Sequence, residues 1–142
     1  MMYISAVFHN RLNSSSEADH ILGSSATINY IIKTNGGRAT LNHTSEQLNA
    51  ASPYNTYTNP GLPPGPICMP GANAISAALY PEPNCNYMYF CATGDGGTAY
   101  ATTLAQHEAN VARYASNWEE ADRMAEERDE RINEDGTINV EG

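Results

Sequence analysis

No run of apolar residues approaches the ~20 needed to cross a bilayer, so no membrane-spanning segment is expected in this chain. Basic residues are scarce, with seven Lys and Arg against sixteen Asp and Glu. The imbalance is uneven. Residues 119–142 hold ten acids and three arginines, a net −7, whereas residues 1–118 hold six acids and four bases, a net −2. A body with four bases has no phosphate-neutralising stripe, so nucleic acid is not an expected partner. The opening MMYISAVFHNRL has neither a basic n-region nor a small-residue cleavage site, so no signal or anchor is expected and the chain reads as soluble. Cysteine is limited to Cys68, Cys85 and Cys91, an odd number without CxxC, HExxH or HxxxH spacing. That argues against a zinc site and leaves no cofactor implied. Three unpaired, buried thiols are expected rather than a disulfide.

What is present suffices for one domain: 142 residues, 41% of them hydrophobic. Phe and Trp are rare, and nine tyrosines dominate the aromatics. A tyrosine has a flat apolar face and a hydroxyl, which suits half-wet clefts as well as ordinary strand rims.

Periodicity predicts a helix over 2–12 with Ile4, Phe8 and Leu12 on one stripe, widened by Val7. A second is predicted from about Ser25 to Lys33, capped by Ser24 or Ser25 and burying Ile28, Ile31 and Ile32. Thr44 and Gln47 form a capping box for a short helix. Five of the eight prolines then fall between Pro60 and Pro70, which rules out a sheet interior or a long helix there. Residues 72–79 resume helix, with Ile75, Ala78 and Leu79 expected inward. Residues 86–92 and 98–103 read as a hairpin around Gly94–Gly97, with Tyr87, Tyr89 and Cys91 on one face. Thr103 and Gln106 cap a last helix carrying Leu104, Val111, Tyr114 and Trp118. Residues 119–142 read as an acidic flexible or solvated-helix tail that adds no core. The expected fold is α+β: short helices packed on a small antiparallel sheet in two layers, with a long Pro-rich loop.

Two segments say more than periodicity does. One is Tyr54-Asn55-Thr56-Tyr57 followed by Gly61-Leu62-Pro63-Pro64-Gly65-Pro66-Ile67. The other is Tyr89-Phe90-Cys91-Ala92, followed by a Gly-rich turn, a strand and Thr103-Leu104-Ala105-Gln106-His107. Together with Val7-Phe8-His9-Asn10-Arg11-Leu12 they resemble the endolytic murein lytic transglycosylase family (YceG-like). The resemblance covers about residues 3–114.

That resemblance implies endolytic cleavage of peptidoglycan between N-acetylmuramic acid and N-acetylglucosamine, in cell wall assembly. The muramyl C6 hydroxyl attacks C1 and leaves a 1,6-anhydro end. One carboxylic acid serves as both acid and base, unlike the usual two-carboxylate glycosidase. It further implies peptidoglycan glycan strands as substrate, peptidoglycan synthases as partners, and a full-length protein at the outer face of the bacterial cytoplasmic membrane. The family's acid lies in a helix ahead of the Asn-Arg-Leu motif. Here nine residues precede Asn10 and none is acidic, so the catalytic Glu is expected upstream of Met1 and the chain alone is expected to be inactive. The alternative is a non-catalytic glycan-binding or partner-binding module. At Leu22-Gly23-Ser24-Ser25-Ala26-Thr27, Gly23 and Ser25 depart from the family pattern, while Ser24 and Thr27 keep it.

The candidate substrate-binding residues are therefore Ser24, Thr27, Tyr54, Asn55, Thr56 and Tyr57. Aromatic faces stack on sugars, and amides and hydroxyls bond to N-acetyl and hydroxyl oxygens. Asn55 and Thr56 can equally satisfy the loop's own backbone. Arg11 either orients a carboxylate or forms a structural salt bridge. His107 either reaches the site or caps a loop. Glu17 and Asp19, the carboxylates nearest Ser24, sit in a polar linker that offers a general acid no apolar setting.

Overall fold

The computed structural model describes residues 1–135, and the last seven residues of the expected tail lie outside them. The fold is α+β. Helix α1 (Met2–Leu12) is followed by a 3₁₀ turn (Glu17–His20), α2 (Ser25–Thr34), the one-turn α3 (Ser45–Leu48) and α4 (Ala72–Leu79). Strands β1 (Tyr89–Ala92) and β2 (Thr98–Ala101) pair antiparallel, Tyr89 opposite Ala101 and Ala92 opposite Thr98. Helix α5 (Leu104–Asp135) closes the domain across both strands.

Local chemistry sets most boundaries. Thr44 and Gln47 form the expected capping box at α3, each side chain bonding the other's backbone N–H. Thr103 and Gln106 repeat the arrangement at α5. The hairpin turn is held by Asp95, whose Oδ1 accepts from the Thr93 hydroxyl and from Gly97 N at 3.2 Å. Those bonds, that from Thr93 foremost, hold the Asp95 carboxyl below its usual range. Gly94 is needed at φ +88, because a Cβ there would lie 2.6 Å from Asn117 Cβ on α5.

The buried apolar set is small: Ala6, Val7, Leu22, Ile28, Ala77, Cys91 and Ala101. Helix α1 turns Ala6, Val7 and Arg11 inward, with Ile4, Phe8 and Leu12 half-buried beside them, one position away from the expected stripe. Phe8 meets Phe90 edge-on at 5.5 Å. Helix α4 departs further. Ala77 is its buried residue, whereas Ile75 and Leu79 are 49% and 67% exposed. A short Ala-rich helix has no strong stripe, and the small Ala77 allows close approach to α1, sealed by His9 Nε2 donating to Ala78 O at 2.9 Å. Leu104 is likewise exposed. Of the cysteines, which are all free, Cys91 alone is buried, while Cys85 is half-buried and Cys68 exposed. Tyr87 lies before β1 and stacks on Tyr100 at 5.1 Å, so it does not join the face of Tyr89 and Cys91.

The end of α5 also differs from a bare solvated tail. Trp118 Nε1 donates to Ala92 O at 2.6 Å, which ties the helix to β1. Past it, Asp122 accepts from the backbone N–H groups of Leu41 and Asn42 at 2.8 and 2.9 Å. Asp129 pairs with Arg38 at 3.4 Å. The loop between α2 and α3 is thereby held on two sides, since Asn29 exchanges two bonds with Thr40 from α2. Asp122→Ala is expected to lower stability by about 1 kcal/mol, because its charge-assisted bonds are partly exposed. That corresponds to roughly 4 °C in melting temperature, and truncation after Trp118 should cost more. Thermal melts of the two variants check this.

Candidate functional site

The Tyr54–Tyr57 loop and the start of α2 form one hydrogen-bonded unit. Gly23 N donates to Thr56 O at 3.0 Å, and Ser24 N donates to Thr56 Oγ1 at 2.9 Å. Thr27 Oγ1 lies 2.9 Å from Thr56 Oγ1 and donates to Ser24 O at 2.7 Å. With the Thr27 proton engaged there, Thr56 is the donor between the two hydroxyls, which closes a ring of three bonds. Asn55 organises the other side of the loop. Its Nδ2 donates to Leu48 O and Ala50 O at 3.0 and 2.9 Å, and its Oδ1 accepts from Tyr57 N at 2.9 Å.

This geometry brings the two expected segments together and changes the role of half the candidates. Asn55 is 0% exposed, and Thr27 and Thr56 are each 3% exposed, with their polar groups engaged internally. A side chain so enclosed has no free donor or acceptor for a sugar. In this structure these three residues brace the loop. Ser24 precedes α2 as its N-cap residue but forms no capping bond through its hydroxyl, while its backbone N–H and carbonyl are tied to Thr56 and Thr27.

The remaining candidates are Ser24, Tyr54 and Tyr57, all half-buried. Tyr54 packs on Tyr30 with ring centres 4.9 Å apart, and its hydroxyl lies under Gly65 of the Pro-rich loop. The Tyr57 ring rests on Gly23, whose φ of +56 turns the chain beneath it. Burial raises the Tyr57 hydroxyl pKa, so it stays a neutral donor. Neither tyrosine hydroxyl enters a hydrogen bond among the described residues. Leu62 and Met69 on the Pro-rich loop are 70% and 95% exposed. Gly61 N donates to His20 O at 2.8 Å and anchors that loop's start to the 3₁₀ turn. Glu17 is exposed, and Asp19 is half-buried with Oδ2 accepting from Ser14 Oγ at 2.5 Å.

A second constellation lies where α1 meets β1 and α5. Asn10 Nδ2 donates to Cys85 O and Tyr87 O at 2.8 and 2.9 Å. Arg11 donates to Met88 O and Ile21 O at 3.1 and 2.8 Å, and its Cζ sits 4.9 Å from the centre of the Tyr89 ring. His107 stacks on that same ring at 5.1 Å. Burial first, then the nearby Arg11 charge, lowers the His107 pKa, while Glu108 opposes the shift. The sequence marks Arg11 and His107 singly. Nothing in it shows that Tyr89 brings them together, because the three lie on separate elements.

Asn55→Ala should remove three bonds from a fully enclosed position and leave two carbonyls and one N–H unpaired. The expected loss is on the order of 3–5 kcal/mol, a large part of a small domain's stability. Tyr57→Phe should stay within about 0.5 kcal/mol of the parent, since no internal partner loses its bond. Urea denaturation of both variants checks the contrast.

Comparison with known proteins now places the chain. The profile of the YceG-like family matches residues 1–113. The endolytic murein transglycosylase of Bacillus subtilis (strain 168) is 34% identical over 114 residues, covering 80% of this chain and 29% of that protein. That of Streptococcus pneumoniae serotype 2 (strain D39) is 32% identical over 115 residues, covering 80% of this chain and 20% of that protein. The chain therefore spans less than a third of the length of these curated relatives. A crystal structure of a YceG-like protein from Listeria monocytogenes superposes with a TM-score of 0.63 at 38% identity, over 75% of this chain and 32% of that one. With four fifths of its length matched in sequence and three quarters in structure, the chain belongs to the YceG-like family.

Proposed function

We propose that this chain is the glycan-holding portion of an endolytic murein transglycosylase, and that the acid which breaks the glycosidic bond comes from outside residues 1–135. One observation carries the reading. The braced loop holds Tyr54 and Tyr57 beside Ser24, three half-buried hydroxyl-bearing groups in a segment bordered by exposed Pro-rich chain. Aromatic faces and neutral hydroxyls suit an uncharged N-acetyl sugar better than they suit an ion.

The chemistry follows from what such a site supplies. Cleavage between N-acetylmuramic acid and N-acetylglucosamine needs a proton on the leaving oxygen and a base for the muramyl C6 hydroxyl. A 1,6-anhydro end results without addition of water. One carboxylic acid performs both steps if apolar surroundings raise its pKa. Glu17 and Asp19, the carboxylates nearest Ser24 in sequence, are exposed and half-buried on a polar 3₁₀ turn and do not meet that requirement. This chain's part is to seat and orient the strand. In a full-length protein the reading places that work at the outer face of the bacterial cytoplasmic membrane, on strands made by peptidoglycan synthases. No helix of the described residues is itself long and apolar enough to cross a membrane. The same lack of a suited acid favours, as a second reading, a non-catalytic module that binds glycan or a partner.

Two measurements test this. The purified 142-residue chain should release no 1,6-anhydro-muramyl products from peptidoglycan, since loss of a general acid alone costs roughly 10²–10⁴-fold; their appearance in mass spectra would place an acid within it. Uncrosslinked glycan strands titrated into the labelled chain should shift amide signals at Ser24 and Tyr57, and Tyr57→Phe should weaken binding several-fold. Shifts confined to α5, or unchanged affinity in Tyr57→Phe, would overturn the glycan-holding reading.

A further inference from the structure

Arg11 is a cation in the interior. It is 8% exposed, on the inward face of α1, and its surroundings are backbone and rings. Two of its five N–H donors reach the carbonyls of Met88 and Ile21, its Cζ lies over Tyr89, and the buried Nε has no partner. The ion pairs among the described residues join Arg38, Arg123 and Arg128 to acids of α5, and none includes Arg11. On the same tyrosine ring sits His107, whose Nδ1 is also buried without a partner. Arg11 Nε thus presents an unsatisfied donor, and His107 Nδ1 an unpartnered ring nitrogen, in a region that holds a positive charge with no ion-pair partner among the described residues.

Buried charges are ordinarily paired, and carbonyl dipoles and an aromatic face compensate a guanidinium only in part. A guanidinium with Nε and part of its terminal N–H groups unengaged has the geometry that matches a carboxylate. Neutral sugar hydroxyls would satisfy the donors and leave the charge. The cover is also movable, because Tyr89 and His107 are half-buried side chains instead of backbone. Glu108, the next residue on α5, is exposed and turned outward, so it does not fill the position.

We propose that Arg11, with His107 beside it on the Tyr89 ring, is the receiving half of a carboxylate site. The carboxylate comes from outside residues 1–135, as an acidic side chain of a longer polypeptide or as an acid group on a ligand. Arg11 then has two jobs: its terminal nitrogens hold the chain before β1 and the chain before α2, and its Nε side receives the anion. The site is separate from the Ser24, Tyr54 and Tyr57 surface and does not depend on the glycan reading.

Small probes test it on the 142-residue chain. Acetate should shift the Arg11 Nε–H resonance saturably and raise the His107 pKa, because an anion on Arg11 offsets the charge that depresses it. Acetamide, the neutral counterpart of similar shape, and chloride at equal ionic strength should do neither. Arg11→Met should abolish the response. Should that variant fail to fold, His107→Gln keeps the test open, with acetate affinity at Arg11 expected to fall several-fold. N-acetylmuramic acid binding at least tenfold tighter than acetate, with N-acetylglucosamine inert, assigns the carboxylate to a ligand. Equal affinity for the two acids assigns it to a protein side chain. Acetate acting no more strongly than acetamide, or acting equally in Arg11→Met, overturns the proposal. No glycan strand enters the assay, so its failure would leave the glycan-holding reading untouched.

Discussion

Backbone carbonyls without a ladder partner are the constraint around which this domain is built. Among the described residues there is one sheet of two four-residue strands, and the buried apolar set is seven residues, three of them alanine. Long stretches of interior chain therefore lack strand or helix neighbours, and an unpaired buried carbonyl is costly. Side chains supply the missing donors. Asn10 and Arg11 serve Cys85, Tyr87, Met88 and Ile21, while Asn55 serves Leu48 and Ala50. Removing any of these donors strands a carbonyl, so the polar residues of the Asn10-Arg11 and Tyr54–Tyr57 motifs hold the fold together as much as the apolar ones do.

This constraint explains what the loop motif does within the fold. A loop that presents tyrosines must itself be rigid, because a mobile ring loses its entropy again on every binding event. Asn55 and Thr56 provide that rigidity from inside and bind the loop to α2 through Ser24 and Thr27. The tyrosines at either end then stand out from a closed network. Motif residues divide by direction, with the amide and hydroxyl turned in and the rings turned partly out.

Features whose cause is local were legible in the sequence. The capping boxes at Thr44 and Thr103, the Gly-rich hairpin and the Pro-rich loop each depend on residues within a few positions of one another. The resemblance carried by the motifs gave the family. Faces were read less well. In α4 the expected inward Ile75 and Leu79 are exposed, because close packing on α1 selects the small Ala77 instead of the largest side chains. Asp122 looked like part of a solvated charge run, yet its carboxylate holds two backbone N–H groups about eighty positions away. No periodicity reports a partner at that separation. Asn55 was legible as a functional residue and equally as a brace, and its enclosure shows the bracing bonds that the sequence could not.

Charge follows the same division of labour. The acids of the described chain concentrate on α5, where they solvate its outer face or fasten the loop at Arg38, Leu41 and Asn42. Tyr54, Tyr57 and Ser24 are themselves neutral groups, and the one buried charge among the described residues, Arg11, lies at Tyr89. A general acid working near neutral pH needs an apolar setting to raise its pKa, and a strong cation at its side would act in the opposite sense. An anion seated on Arg11 would accordingly be held ionised, which suits a structural or orienting carboxylate. Under the proposed function, the proton-donating acid would instead be seated against the half-buried tyrosines, away from that cation. The two proposals thus call for carboxylates in opposite protonation states, and a cation beside one of them is what separates the two.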